Sequence, residues 1–253
     1  MKKHYNNTIN HDSYAFTLSE VLITLVIIGI IAALTVPTLL DRFHKDAMGI
    51  ALSKAYSTIN QTLLRMAREN DVNGNFARTT LFNSTDVVLG DELVKYIKVS
   101  KNCKMSSGCF TTQMGTEFPS LSSKVSTSGV IGNHYSFVGN DSVSYMVQST
   151  GSGCIPSFNG ASSTMFSGQM KQICGLIWMD LNGFKEPNTW GNDIFLFYIT
   201  NGTNPMLYPA GGRDDSRMQW SSDGVTPINC TKSNPNGYAC SGRIVEQSWQ
   251  VNY

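Results

Sequence analysis

The chain has 253 residues, of which 41% are hydrophobic, 15% charged and 10% aromatic, and its formal net charge at pH 7 is +1. Lys2, Lys3 and Asp12 account for that charge, so residues 16–253 sum to zero and give no electrostatic footprint for nucleic acid. Residues 76–253, some 180 in all, are enough for a single globular domain with its own core.

Residues 1–15 (MKKHYNNTINHDSYA) are polar and end immediately before the apolar run. A secretory signal peptide is cut after its apolar region, so this order is wrong for ordinary secretion. Val21 to Leu40 is twenty residues without a charge, long enough to cross a bilayer as a helix. Glu20 stands at the start of that run, where an ionised carboxylate in hydrocarbon costs roughly 2.5–3.5 kcal/mol. A plain anchor has no reason to carry that cost, so Glu20 is a candidate functional residue in need of a cationic partner. The plainer role is a carboxylate that snorkels to the headgroups. Gly29 and Pro37 are points where the helix can bend or locally melt, although both residue types are tolerated in membrane helices.

The stretch Ala15-Phe16-Thr17-Leu18-Ser19-Glu20, with its apolar sequel, resembles the N-terminus of type IV pilins and type II secretion pseudopilins. The shared signature is a polar leader, a small residue at the cut, Phe as first mature residue, and a glutamate at the fifth mature position. Pro37 also falls where many pilins carry a proline. The residue before the cut is usually Gly in that family and is Ala15 here. The resemblance implies cleavage between Ala15 and Phe16 by a prepilin peptidase that also methylates Phe16. It implies a single-pass protein of the bacterial inner membrane with its head extracytoplasmic, passed by an inner-membrane assembly platform into a polymer of pilin or pseudopilin subunits. Glu20 of one subunit would pair with the new α-amino group on Phe16 of its neighbour, two buried charges neutralising each other and setting the axial register.

Beyond the run, Ala47, Ile50, Ala51, Ala55, Ile59, Leu63, Met66 and Ala67 recur three or four apart from Phe43 onward, opposite Asp46, Lys54, Asn60, Arg65, Arg68 and Glu69. The spacing predicts an amphipathic continuation of the helix, ending at the turn-rich Asn70-Asp71-Val72-Asn73-Gly74-Asn75. From Phe16 to Glu69 such a helix is on the order of 80 Å long. Residues 86–98 read as a second helix with Asp86 at its N-cap. Strands are predicted at Ser136–Val138, Ser142–Gln148, Ile173–Asp180, Asp193–Thr200 and Pro205–Tyr208. Ile194-Phe195-Leu196-Phe197-Tyr198-Ile199 has the composition of a central buried strand, and the short connections predict an antiparallel meander laid on the helix stripe. The tail after Gly211 reads as turns.

Charge alone does not orient the helix, because Arg42 and Lys45 beyond it match Lys2 and Lys3 before it. The six cysteines, Cys103, Cys109, Cys154, Cys174, Cys230 and Cys240, all lie on its C-terminal side, an even number that suits an extracytoplasmic domain. Six cysteines allow 15 pairings. Cys103–Cys109, Cys154–Cys174 and Cys230–Cys240 are preferred because each closes a short Gly/Ser/Asn-rich loop, and the last resembles the C-terminal disulfide loop of many pilins. Zinc is the rival use, against which stand the absence of CxxC and His134 as the one histidine beyond residue 44. Between two strands, Asp180, Asn182, Glu186, Asn188 and Asp193 gather oxygen ligands of the kind calcium takes. This loop also looks like that of pseudopilin-like proteins, some of which hold calcium there. The alternative is an Asx/Gly-stabilised connection whose side chains bond their own backbone.

No GxSxG, HExxH, Walker A or GxGxxG motif occurs, and His134 beside Tyr135 has no catalytic company. The sequence therefore predicts an α+β fold, with a long N-terminal helix packed against an antiparallel sheet head, pilin-like. Its segments are a leader at 1–15, a transmembrane and polymerisation helix at 16–40, an amphipathic spine at 41–75 and a disulfide-containing head at 76–253. Two functions compete: a polymerising structural subunit, and a membrane-tethered extracytoplasmic domain that binds or modifies a ligand without polymerising. Glu20 at the fifth mature position favours the first, a non-enzymatic one; major pilin, minor pilin and pseudopilin stay open.

Overall fold

The computed structural model describes residues 17–70, 75–110, 134–155, 167–183, 185, 188–202, 206–215, 230–231, 237 and 239–253. Helix α1 runs Leu18–Glu69, and the chain forms two compact units that meet between His44 and Lys45. In the first unit the apolar side chains of α1 are turned outward: Leu22, Leu25, Ile28, Ile31 and Leu34 are all more than half exposed. An 18-residue window in this helix has a mean hydropathy of 2.6 and no buried residue, so it is long and apolar enough to cross a membrane.

The described residues of the second unit, Lys45 to Tyr253, hold the rest of α1, two short α-helices and one sheet. The short helices are α2 at Asp86–Leu93 and α3 at Cys240–Glu246. Six strands, β1 (Val99–Lys104), β2 (Tyr135–Gly139), β3 (Ser144–Ser149), β4 (Ile173–Asp180), β5 (Ile194–Thr200) and β6 (Leu207–Pro209), pair antiparallel in chain order. The expected α+β architecture and meander are both present.

β4 and β5 are buried along their whole length, because both faces of the sheet are covered. Side-chain alternation divides them between two cores. Ile177, Met179, Phe195, Phe197 and Ile199 face the core shared with Leu52, Ala55, Ile59, Leu63 and Met66 of α1. Leu176, Trp178, Ile194, Leu196 and Tyr198 face a second core with Met146, Met170 and Trp190. Fully burying each such side chain contributes about 1.5–3 kcal/mol. Polar contacts fix the helix on the sheet as well: Tyr56 donates to Leu207 O at 3.3 Å, and Met206 N donates to Asn60 Oδ1 at 2.8 Å.

Four local expectations need correction. The buried stripe of α1 is set by Gly49, Leu52, Ala55, Ile59, Thr62, Leu63, Met66 and Ala67, while Ala47 and Ile50 lie exposed, Ile50 at 71%. The stripe turns this way because Gly49 lies against the Trp249 backbone, where any Cβ would collide with the Trp249 carbonyl. Second, α2 stops at Leu93, and Thr85 rather than Asp86 occupies the N-cap. Ile97 leaves the helical path to fill the core ahead of β1. Third, β1 is a strand that no pattern announced, since Ser100, Lys101 and Asn102 are exposed on the sheet edge. Last, the tail contains α3, whose Gly242 lies so close to the Gly211 backbone that a side chain would not fit.

Candidate functional site

Thr17 is the first described residue, so Ala15 and Phe16 lie outside the described residues. Thr17 and Glu20 form a capping box. The backbone N and Oγ1 of Thr17 both donate to Glu20 Oε2 at 2.9 Å, and Glu20 N donates back to Thr17 Oγ1 at 3.3 Å. The spacing Thr17-Leu18-Ser19-Glu20 was the available signal for this box, and sequence reasoning read only the charge of Glu20. The carboxylate thus sits over the first turn of α1, where free backbone N–H groups favour negative charge.

Along the apolar part of α1, hydroxyls are satisfied by the helix itself. Thr24 donates to Val21 O, Thr35 to Ile31 O and Thr38 to Thr35 O, at 2.8–2.9 Å, which hides them from lipid. Pro37 lies inside the helix. Gly29 has open space where its side chain would stand, so close packing within this chain does not require glycine there.

The structure joins Cys103 to Cys109, Cys154 to Cys174 and Cys230 to Cys240, with 6, 20 and 10 residues of sequence separation. Cys230 and Cys240 also frame a clamp that the sequence did not suggest. Arg243, 8% exposed, donates to the carbonyl of Cys230 and, at 2.8 Å, to that of Asn252. Its guanidinium lies 5.3 Å from the centre of the Tyr253 ring, and Tyr253 OH donates to Gly191 O. Burial lowers the pKa of Arg243.

The β4–β5 loop brings together three of the five residues named as calcium ligands, Asp180, Asn182 and Asp193. Asn182 N donates to Asp180 Oδ1 and Asn182 Nδ2 to Asp193 Oδ2, both at 3.2 Å; Thr189 N donates to Asp193 Oδ1. Glu186 lies outside the described residues. Asp180 is fully buried and Asp193 nearly so, and burial raises the Asp193 pKa against the hydrogen bonds that lower it. Asn182 Oδ1 is buried with no hydrogen-bond partner among the described residues, and Asp180, Asn182 and Asp193 carry side-chain oxygens of the hard kind that calcium takes. Among the described residues no group of three or more His, Cys, Asp or Glu side chains is placed to hold a metal.

His134 stacks on Trp178 at 5.6 Å and bonds Asp86 Oδ2 through Nδ1 at 2.7 Å, while Asp86 Oδ1 accepts from Ser149 N. These contacts tie α2 to β2, β3 and β4.

Residues 10–36 match the prokaryotic N-terminal methylation motif, the prepilin-type signal of type IV pilins and pseudopilins. Neither the curated proteins nor the solved structures contain a match to the chain. The motif spans Ala15, Phe16, Glu20 and most of the apolar helix, and it supports a pilin-like or pseudopilin subunit anchored in a membrane.

Proposed function

We propose that this chain is a structural subunit of a type IV pilus or type II secretion pseudopilus, cut between Ala15 and Phe16 and N-methylated at Phe16. It waits in the inner membrane with its head outside the cytoplasm and is drawn by the assembly platform into a polymer held through α1. The four segments named from the sequence serve that path: a leader removed at residue 15, a polymerisation helix to residue 40, a spine to residue 75 and a head. Gly29 and Pro37 give the helix its freedom to bend as it leaves the bilayer.

One observation carries the reading: Glu20 is the sole acidic residue between Phe16 and Leu40, and it lies four residues from the amine that cleavage creates. Among the described residues the carboxylate bonds Thr17. After assembly a neighbour's Phe16 amine neutralises it, so two charges that are costly apart become tolerable together. N-methylation keeps that positive charge.

The decisive measurement is the intact mass and N-terminal sequence of the protein from its native membrane. A chain beginning at Phe16 and about 14 Da heavier than calculated, the mass of one methylene group, is expected. A chain beginning at Met1 in cells with an active prepilin peptidase would overturn the reading. Glu20→Ala should then insert normally and fail to assemble, and normal filaments from it would remove the charge pairing.

A second reading, calcium in the β4–β5 loop held by Asp180, Asn182, Asp193 and Glu186, rests on the unpartnered Asn182 Oδ1. Calcium should raise the melting temperature of chelator-treated protein, and an unchanged temperature would dismiss it.

A further inference from the structure

Gly49 is the first buried residue of α1, and the segment after α3 lies against it. A Cβ at Gly49 would collide with the Trp249 carbonyl and next meet Val251 Cγ2 at 3.9 Å. No described residue of α1 before Gly49 is buried, so the head's hold on the helix starts at this backbone contact. α3 ends in a Schellman turn, Ser248 N donating to Val245 O at 3.2 Å and Trp249 N to Ile244 O at 2.8 Å. Such a turn needs one left-handed residue, usually glycine, and Ser248 fills the place at φ 55°. Trp249 is left-handed as well, at φ 68°, although its Cβ then crowds the following carbonyl. The turn does not require this second left-handed residue, and it is the one whose carbonyl lies against Gly49.

Residues 248–251 are therefore a strained span between two fixed points. Before it stands the turn of α3; after it Arg243 donates to Asn252 O at 2.8 Å and Tyr253 OH donates to Gly191 O. Along one side Ser248, Trp249 and Gln250 line a groove of about 710 Å³ with Ile50, Ser53 and Ser57 of α1, which gives the span room to move. We infer that this span is a latch on α1: it opens by itself while the head stays folded, and its opening moves the head's first hold on the helix from Gly49 to Leu52. Backbone strain persists only where the surroundings over-determine it. Here the Gly49 contact and the Trp249 ring, its centre 5.1 Å from that of Tyr56, hold the span closed. The next holds do not depend on the latch. Leu52 is buried in the core, and Tyr56 keeps Phe197, 5.5 Å between ring centres, and its bond to Leu207 O. The latch thus sets where α1 becomes free of the head, whether or not the chain polymerises.

The test is amide exchange of the full chain in neutral detergent micelles, at urea concentrations below the unfolding transition. The amides of Ser248, Trp249 and Gln250, which donate to the carbonyls of Val245, Ile244 and Gln247, should exchange at a rate that urea does not change, the mark of a local opening. Those of β5 should exchange through global unfolding, which urea speeds steeply. Exchange of residues 248–250 with the urea dependence of β5 would overturn the latch. Gly49→Ala strengthens α1 by helix propensity alone, yet it should quicken exchange at residues 248–250 by about tenfold or more, a change of about 1.4 kcal/mol. An unchanged rate, with β5 still protected, would overturn the contact as the catch. Ser248→Gly relieves the left-handed strain and should slow the same amides about fivefold; it decides the matter if Gly49→Ala does not fold, and an unchanged or faster rate counts against the latch. Thiol labelling checks where the hold moves. All six native cysteines are in disulfides, so Val251→Cys should react with a maleimide about tenfold or more faster than Leu52→Cys, and equal rates would mean that no latch opens ahead of the core.

Discussion

Glu20 is held within its own chain. Two donors from Thr17 and the positive end of α1 stabilise the carboxylate, which lowers the cost that made it conspicuous in the sequence. Thr17→Val removes Oγ1 and leaves the backbone donor. Loss of an N-cap side chain costs about 1 kcal/mol, so amide exchange at residues 19–22 in micelles should quicken about fivefold. An unchanged rate would show that the hydroxyl does not hold the helix start. Asp193 makes a second residue-scale case. Burial raises its folded pKa, so its stabilising contribution is fully present below the unfolded value, about 3.9, and is lost as pH rises through the folded value. In chelator-treated protein the melting temperature of the parent, relative to Asp193→Asn, should therefore fall as pH rises above about 4. A difference that grows with pH would reverse the sign and point to a cation beside the carboxylate.

At the scale of elements, apolar pattern reported what it physically encodes, burial, and went wrong where burial and pattern separate. β4 and β5 were legible because a strand covered on both faces must be apolar throughout. β1 was not, because an edge strand with Lys101, Lys104 and two breaks in its pairing register is polar for the same reason that it resists adding a further strand. α3 has seven residues, two of them Ser241 and Gly242, too short for a helical period to show. The first turn of α1's stripe was misplaced because glycine carries no hydrophobic signal, yet Gly49 lies against the Trp249 backbone where no side chain would fit. Glu20 was found from its charge, whereas the Arg243 clamp joins residues whose meeting only the fold determines. Ile59→Ala, in the core, should cost about 2–5 kcal/mol of stability in denaturant unfolding. Ile50→Ala, one face away, should stay within about 0.5 kcal/mol. Equal losses at both positions would restore the phase read from sequence.

For the whole molecule, the sheet is closed to further strands at both edges. β1 is bulged and lysine-bearing, and β6 is three residues long and ends in Pro209. The head holds its shape by its own core and its three covalent loops. Loop-closure entropy alone ranks those loops. Opening Cys103–Cys109 should cost about 2 kcal/mol and opening Cys154–Cys174 about 3 kcal/mol, with Cys230–Cys240 between them. The last should break that order. Cys230 carries the carbonyl that accepts from Arg243, and Arg243 also holds the carbonyl of Asn252 near the C-terminus. Releasing Cys230 loosens the acceptor of a buried cation, and a buried cation left short of partners is strongly destabilising. The Cys230→Ala/Cys240→Ala pair should therefore cost more than the Cys154→Ala/Cys174→Ala pair, measured by urea unfolding in micelles. In a cycle with Arg243→Met the two losses should fall short of adding, by about 0.5–3 kcal/mol, as for groups that share one network. Strict additivity would mean that the disulfide and the arginine hold the tail independently.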